Sequence, residues 1–386
     1  MEYIKLIDVC DFQGGSQPPK SEWINKAADG YIRMLQIRDF TQDREEKEFV
    51  KLTNTIKTCK KDDVLIARYG ASVGKILTGL EGAYNVAIMK SIPDENKINK
   101  KYLYYYFHTQ YFQHNIKNVG SRAAQAGFNI SELDKFNIYL AELDDQKKIV
   151  EVLDKAQFLI DKKKEQIELL DELVKSRFVE IFGDVLTSNK FGESILKEVA
   201  DITSSKRIYA NEYVENGIPF YRSKEIRELG ENLKPSIELF ISEEKYNLIK
   251  EKYEIPKKGD ILIAAIGATI GYTWIVNTDE PFYYKDGNLL NISVNKNMNP
   301  IYLNHVLKIL INNFKYREAS GSAQLALTID KVGKMEIPVP PIELQNEFAE
   351  FVTQTDSIRS KMEASLSELE DNFNSLMQKS FKGELF

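Results

Sequence analysis

The sequence predicts a mixed α/β protein with two duplicated globular domains, separated by an antiparallel coiled coil that the chain forms with itself from two long helices. Three observations lead there. A thirteen-residue string is written twice, as "DDVLIARYGASVG" over 62–74 and "GDILIAAIGATIG" over 259–271. Further matching strings follow each copy at nearly the same separation. Each half then closes in a stretch of roughly 40 residues whose apolar positions recur at helical spacing.

The repeated string reads as a short apolar strand, entered through Asp63 or Asp260 and left through Gly70 and Gly74 or Gly267 and Gly271, with every pair 197 residues apart. A continuous apolar run bounded by turn residues is the pattern of a buried strand, and the two glycines are expected to form a tight turn. Downstream, "NKKYLYYYF" from Asn99 matches "NPIYLNHVL" from Asn299 at a separation of 200, each opening an apolar helix. In the aromatic run that follows Asn99, Leu103, Phe107 and Tyr111 share one helical face and are expected in a core rather than as a base-stacking platform. Next, "GFNISELDKFNIYLAELDDQKKI" matches "ALTIDKVGKMEIPVPPIELQNEF", with Ile130 and Ile329, and Gln146 and Gln345, 199 apart. Small drifts in separation are what loop insertions produce, and the period is too long for a solenoid repeat. The expected organisation is a first domain over 1–141, a long helix over 142–183, a second domain over 184–341 and a second long helix over 342–383.

In the first long helix the stripe comprises Ile149, Val152, Ala156, Leu159, Ile160, Ile167, Leu170, Val174, Phe178 and Ile181, with Gly183 as the stop. In the second it comprises Leu344, Phe348, Phe351, Val352, Thr355, Ile358, Met362, Leu366, Leu369, Phe373 and Met377, ending at Gly383. At 1.5 Å per residue each helix is about 60 Å long. A single amphipathic helix cannot bury its own stripe, and the same chain supplies a matching partner. The expected coiled-coil core is Ile149, Val152, Ala156, Ile160, Ile167, Leu170 and Val174 against Phe348, Phe351, Thr355, Ile358, Met362, Leu366, Leu369 and Phe373. The alternatives are that each helix packs on its own domain or mediates dimerisation. Antiparallel pairing of a duplicated unit implies a pseudo-two-fold axis and a rigid spacer, which suits a target with its own dyad, duplex DNA above all.

The 386 residues are 43% apolar and 28% charged, a soluble globular composition. No secretion signal or membrane span is read in them, so a cytoplasmic location is expected. Cys10 and Cys59 cannot build a disulfide framework. The net charge of −6 is unevenly spread: residues 1–141 carry +3, 142–192 carry −3, 193–341 carry −1 and 342–386 carry −5. The acidity therefore resides in the helices, and the near-neutral domains leave room for a local basic face.

Signs of catalysis are sparse. His108, His114 and His305 lack metal-ligand spacing and are expected at solvent-facing or core positions. There is no GxxxxGK[ST] loop, no GxSxG elbow and no amino-methyltransferase signature of Asn or Asp, Pro-Pro and an aromatic; "VPPI" at 339–342 and "NPIY" at 299–302 are the nearest strings. Binding is the leading class of function. The rivals are an enzyme whose duplicated active site is hidden and a scaffold whose coiled coil joins proteins.

Taken together, the two copies of the strand-and-turn motif, the "AELDDQKKIVEVLD" and "PPIELQNEFAEFV" helix entries, and the closing "FVEIFGD" and "SFKGELF" resemble the specificity subunit of a type I restriction-modification system over essentially the whole chain. The first copy departs from the pattern with Ala141-Glu142 in place of Pro-Pro and Asp62 in place of the strand-leading Gly, which is expected to affect helix entry. The resemblance implies two target recognition domains, each reading half of a split site in double-stranded DNA, with the helical spacer setting the unread gap. It further implies two methyltransferase subunits that methylate adenine N6, and restriction subunits that direct cleavage. S-adenosylmethionine, ATP and Mg are then expected on those partners, with no cofactor, catalytic residue or metal in this chain and no membrane partner. A related two-part methylase-nuclease system is the alternative setting.

Base readout needs Arg, Lys, Asn or Gln, with Ser, Thr, Lys and Tyr on phosphates. The candidates in the first domain are Ser16, Gln17 and Lys20; Arg33, Gln36 and Arg38; Arg68, Tyr69, Ser72 and Lys75; and Ser121, Arg122, Gln125 and Asn129. Those in the second are Ser204, Ser205, Lys206 and Arg207; Tyr221, Arg222, Ser223 and Lys224; Thr269 and Tyr272; Lys285 and Asn288 with Asp286 between them; and Ser320, Ser322, Gln324 and Thr328. The small-residue loops "GSRAAQ" and "GSAQ" recur after a helix in both copies and are the foremost candidates. The segment "REEKEFVK" over 44–51 is read as a solvated charged stretch. Because the halves differ outside their shared framework, the expected target is asymmetric.

Overall fold

A computed structural model describes residues 3–42, 46–120, 127–188, 190–318 and 325–385. The chain forms two compact units, one of residues 1–165 with 363–386 and the other of 166–362. Each unit thus contains a portion of both long helices, Leu143–Phe182 and Ile342–Lys382.

In the first unit, the strands Cys10–Gly14, Ile88–Pro93, Leu65–Ala67 and Ile76–Leu77 form an antiparallel sheet in that order. A second sheet takes Phe49–Lys51, Tyr31–Leu35, Gly82–Tyr84 and Thr58–Cys59 in order, with a parallel pair at Met34 and Ala83. Tyr3–Lys5 pairs with Asn137–Tyr139. The central strand of the first sheet explains its sequence. Val64 and Ile66 point into a core shared with Leu103, Phe107 and the long helices, while Leu65 and Ala67 point into a second core with Leu35 and Tyr84. With both faces covered, no polar alternation survives. Tyr111, expected with Leu103 and Phe107, is instead exposed, because the helix is broken at Thr109 between Lys100–His108 and Gln110–Gly120.

The second unit repeats the first sheet and the parallel pair of the second sheet, but carries the second sheet's outer strand on the opposite edge. Ala200–Thr203, Leu289–Val294, Ile261–Ala264 and Thr273–Ile275 form one sheet. The other takes Tyr213–Val214, Phe240–Ile241, Ile218–Tyr221 and Tyr283–Tyr284, again with a parallel pair, here at Phe220 and Tyr283. Glu193–Ile195 pairs with Glu336–Pro338. Ile261 and Ile263 face the helical core, and Leu262 and Ala264 face the inter-sheet core. The helix Pro300–Glu318 is continuous here.

The glycines close the turn beyond each central strand. Gly74 and Gly271 have φ of +83° and +86°, and a Cβ on either would lie 2.7 or 2.8 Å from Cγ2 of Ile116 or Ile311. The turn therefore needs glycine twice over, for its left-handed backbone and for contact with the helix beneath.

The long helices pack antiparallel. Lys164 meets Glu370 at 2.8 Å in the first unit; Asp171 meets Arg359, and Arg177 meets Glu347, each at 2.7 Å in the second. Ile149, Ile160, Val174, Phe348 and Thr355 are buried, while Val152, Ala156, Ile167, Leu170, Phe351, Met362, Leu366, Leu369 and Phe373 are half-buried. Ile358 does not belong to this core, being 46% exposed, because Arg359, the next residue around the helix, turns inward to Asp171. Fully buried Leu153 was missed beside Val152 for the same angular reason. The Ala141-Glu142 departure leaves helix entry unchanged: Leu143 and Ile342 are equivalent first residues, and the carbonyls of Ala141 and Pro340 accept the same glutamine bond.

Candidate nucleic-acid interface

The strand-entry aspartates belong to the frame. Asp63 accepts the Lys60 backbone N–H at 2.9 Å and pairs with Lys90 at 2.6 Å; Asp260 accepts the Lys257 N–H at 3.1 Å and the Asn291 side-chain amide at 3.1 Å. Burial pushes the Asp63 carboxyl up, but hydrogen bonds from Lys90 and Lys60 and the charges of Lys90 and Lys100 outweigh it and hold the group below the usual carboxylate range.

Several candidates in the first unit are spent on holding loops. Ser16 Oγ accepts the Lys57 N–H at 2.9 Å and donates to the Thr55 carbonyl. Arg68 donates to the Phe128 carbonyl at 3.3 Å and to Asn129 Oδ1 at 3.0 Å, so these two candidates tie the turn to the 127–129 segment. Asn129 also opens the helix Ile130–Leu133, its backbone N–H held by Glu132 at 2.8 Å. Ser72 is half-buried in the turn, whereas Gln17, Tyr69 and Lys75 are exposed. Arg33 pairs with Asp39 at 3.1 Å. Lys20 lies over the Trp23 ring and, with Gln36 and Arg38, converges on Glu48. Ser121, Arg122 and Gln125 lie outside the described residues.

In the second unit, Ser204 Oγ accepts the Gly287 N–H and Ser205 is half-buried. Lys206 sits over the Tyr253 ring, 4.4 Å from its centroid, and Arg207 pairs with Asp286 at 2.9 Å. Tyr221 is not a surface contact: it is 8% exposed and stacked on Phe282 at 5.0 Å, because the strand Ile218–Tyr221 buries successive residues in the inter-sheet core. Its neighbours Arg222 and Lys224 both reach Glu238, and Ser223 is half-buried between them. Thr269, Lys285 and Asn288 are half-buried, and Tyr272 is exposed. Thr328 Oγ1 accepts the Lys331 N–H at 3.2 Å and so caps Ile329–Gly333. Ser320, Ser322 and Gln324 lie outside the described residues.

Sequence reasoning missed Glu48 and Glu238. Glu48 belongs to the stretch read as solvated, yet its side chain is only 20% exposed and gathers Lys20, Gln36 and Arg38. Burial pushes its carboxyl up; Lys20 and Arg38 outweigh that and hold it below the usual value. Hydrogen bonds from Lys224 and Arg222, with their charges, bring the Glu238 carboxyl down to about 2. Tyr316, at the end of Pro300–Glu318, is also strongly exposed and was not among the candidates. Among the described residues, no group of three His, Cys, Asp or Glu side chains is arranged to hold a metal ion, and no helix is long and apolar enough to cross a membrane.

Residues 1–169 and 189–371 each match the family model for the type I restriction modification DNA specificity domain. The chain belongs to this family. Its specificity subunits are the non-catalytic DNA-recognition subunits of type I restriction-modification systems. Among relatives, the type I restriction enzyme MjaVIII specificity subunit of Methanocaldococcus jannaschii is 25% identical, with 92% of this chain and 86% of that one covered. A putative type I restriction enzyme specificity subunit of Haemophilus influenzae is 29% identical over 68% of this chain and 67% of its own. In fold, the chain is similar to the type I restriction-modification S subunit from M. genitalium, with a TM-score of 0.57, 18% identity and coverage of 98% and 96% of the two chains. A chain from a structural study of type I complex assembly and conformational transition gives a TM-score of 0.58 at 17% identity, covering 100% and 98%. The specificity domain thus occurs twice along the chain, as the internal duplication requires.

Proposed function

We propose that each unit of this specificity subunit reads one half of an asymmetric bipartite site in double-stranded DNA, and that the paired long helices set the number of unread base pairs between the halves. On this reading the acidic helices dock two methyltransferase subunits, which methylate one adenine N6 per half-site on opposite strands, and restriction subunits joining the complex cleave unmodified DNA in the cytoplasm. The observation that carries the reading is one frame bearing two different sets of donors. Gln146 and Gln345 make equivalent bonds at the helix entries, while the surface positions change from Gln36 and Arg38 to Arg222 and Lys224. A common frame with altered hydrogen-bond donors is what reading two unlike half-sites requires, since each base edge selects its own donor geometry.

The test is single-molecule sequencing of N6-methyladenine in host DNA with the gene present and deleted. The expected result is loss of methylation at one split motif, with one adenine per half on opposite strands. An unchanged methylome in a host that expresses the methyltransferase subunits would refute the proposal.

A further inference from the structure

The two carboxylates at the candidate interface recur at equivalent places. In the first unit Glu48 Oε2 accepts Nε2 of Gln36 at 2.6 Å and a guanidinium nitrogen of Arg38 at 2.9 Å, and Oε1 pairs with Lys20. In the second, Glu238 Oε2 accepts a guanidinium nitrogen of Arg222 at 2.9 Å and Oε1 accepts Lys224 Nζ at 2.8 Å. Gln36 and Arg222, and Arg38 and Lys224, are both 186 residues apart, and Glu48 and Glu238 are 190 apart. The backbone N–H of the first residue of each pair is held alike, by Asp39 at 2.7 Å or Glu225 at 2.8 Å. In the second unit buried Glu225 also pairs with the Arg222 guanidinium at 2.8 Å, so Lys224 is the donor that Glu238 holds most directly. The acceptor is therefore kept between the copies while the donors around it change.

Resting on the DNA-reading proposal above, we propose that Glu48 and Glu238 are positioning residues that hold the reading side chains of their own unit in place before DNA arrives and keep them from binding phosphate indiscriminately.

Three features argue for this over a purely structural strut. Lys224 and Glu238 are 45% and 55% exposed, so their pair lies in the solvent-screened regime where ion pairs contribute little to stability, and Arg38, at 40%, is screened at its end of the pair with Glu48. Second, Lys and Arg side chains are rich in rotamers, and holding them in one geometry beforehand lowers the entropy lost when they meet a base edge. Third, an ionised carboxylate beside two donors repels the phosphate backbone, which supplies the sequence-independent part of DNA affinity. A base edge carries no such charge, and the amino groups of cytosine and adenine can donate to the carboxylate's spare lone pairs. The acidic residue therefore shifts the balance from phosphate contact toward base contact. Its strongly favoured ionised form in the second unit accords with this role.

The full chain assembled with its methyltransferase subunits is to be compared as wild type, Glu48→Gln, Glu238→Gln and Glu238→Asp. The readouts are the methylated motif, affinity for unrelated duplex DNA against salt, and thermal melting. Glu238→Gln is expected to lower discrimination about tenfold at bases of one half-site, at the low end of what a lost bidentate contact gives. It should leave the other half unchanged and raise affinity for unrelated DNA. Glu48→Gln should relax the opposite half, and Glu238→Asp should restore much of the discrimination because the charge returns. If the wild type writes a split motif and both Gln variants write it with undiminished discrimination, or if they merely melt earlier with both halves still read normally, the positioning role is overturned. A wild-type complex that methylates no split motif overturns the DNA-reading proposal itself, and this one with it.

Discussion

Gln146 Oε1, buried without exposure to solvent, accepts the backbone N–H of Asn99 at 2.7 Å. The Gln146 amide nitrogen donates to the carbonyls of Lys97 and Ala141, so one side chain joins the first turn of a long helix to the loop that starts the aromatic helix. Gln345 repeats the arrangement with Asn299, Asn297 and Pro340. The two asparagines in turn cap their helices, Asn99 accepting from the N–H groups of Lys101 and Tyr102 and Asn299 from those of Ile301 and Tyr302.

Replacing Gln146 or Gln345 by Leu leaves a buried N–H and two carbonyls without their partner. Each orphaned group costs about 1–3 kcal/mol, partly recovered by relaxation, so a loss of roughly 2–4 kcal/mol is expected. Urea unfolding checks this, and the sharper expectation is locality: Gln146→Leu should lower only the transition of the first unit and Gln345→Leu only that of the second.

The turn glycines separate two physical effects. Gly271→Ala meets both a left-handed φ and a Cβ 2.8 Å from Ile311, whereas Gly267→Ala meets φ of +75° in open space. Left-handed backbone costs a residue with a Cβ about 1–2 kcal/mol, and overpacking adds about 1–3 kcal/mol. Gly271→Ala should therefore be the more destabilising in calorimetry, and adding Ile311→Leu, which removes the Cγ2 methyl the new Cβ strikes, should recover part of the difference; equal losses at the two glycines would show that the contact contributes nothing.

His305 titrates in an aromatic setting. Its Nδ1 donates to the Ile301 carbonyl at 3.0 Å, and its ring lies against Phe178 and edge-on to Phe348. Burial lowers its pKa to about 4, with Lys308 adding repulsion. Because the folded value lies below the unfolded value of about 6.5, the unfolded chain binds the extra proton between the two. The histidine's contribution to stability is therefore complete above about pH 6.5 and is lost as the pH falls toward about 4, by roughly 2–3 kcal/mol. His305→Phe should flatten that part of the stability profile, measured as denaturation midpoint against pH.

The legible parts of the sequence were those where one packing rule acts over many neighbours. A strand covered on both faces is written as "VLIA" or "ILIA", and a helix with one buried stripe repeats its apolar residues every third or fourth position. Gln146 and Gln345 were visible as matched letters, but nothing local told that each bonds to a helix 46 or 47 residues earlier. Glu48 and Glu238 were illegible for a related reason. Each meets its donors across neighbouring strands and loops, 10 to 28 residues away, with no period to mark the pairing. Tyr221 was misread because it precedes a polar run, and only the core around Phe282 and Trp274 reveals that it points inward.

The spacer proposal has a numerical consequence. A heptad inserted into one long helix alone would leave seven residues without a partner in an antiparallel pair, so the informative variant adds one heptad at facing positions of both. Near Lys164 and Glu370, which meet at 2.8 Å, the added turns can keep the apolar stripe in phase. Seven residues at 1.5 Å lengthen each helix by about 10.5 Å, and B-DNA rises about 3.4 Å per base pair along one strand. The unread gap in the methylated motif is then expected to widen by about three base pairs, with both half-site sequences unchanged. Methylome sequencing of cells carrying the variant reads both properties together. A wider gap with the same halves would make the helices the ruler; an active variant with its original gap would show that the spacing is set elsewhere.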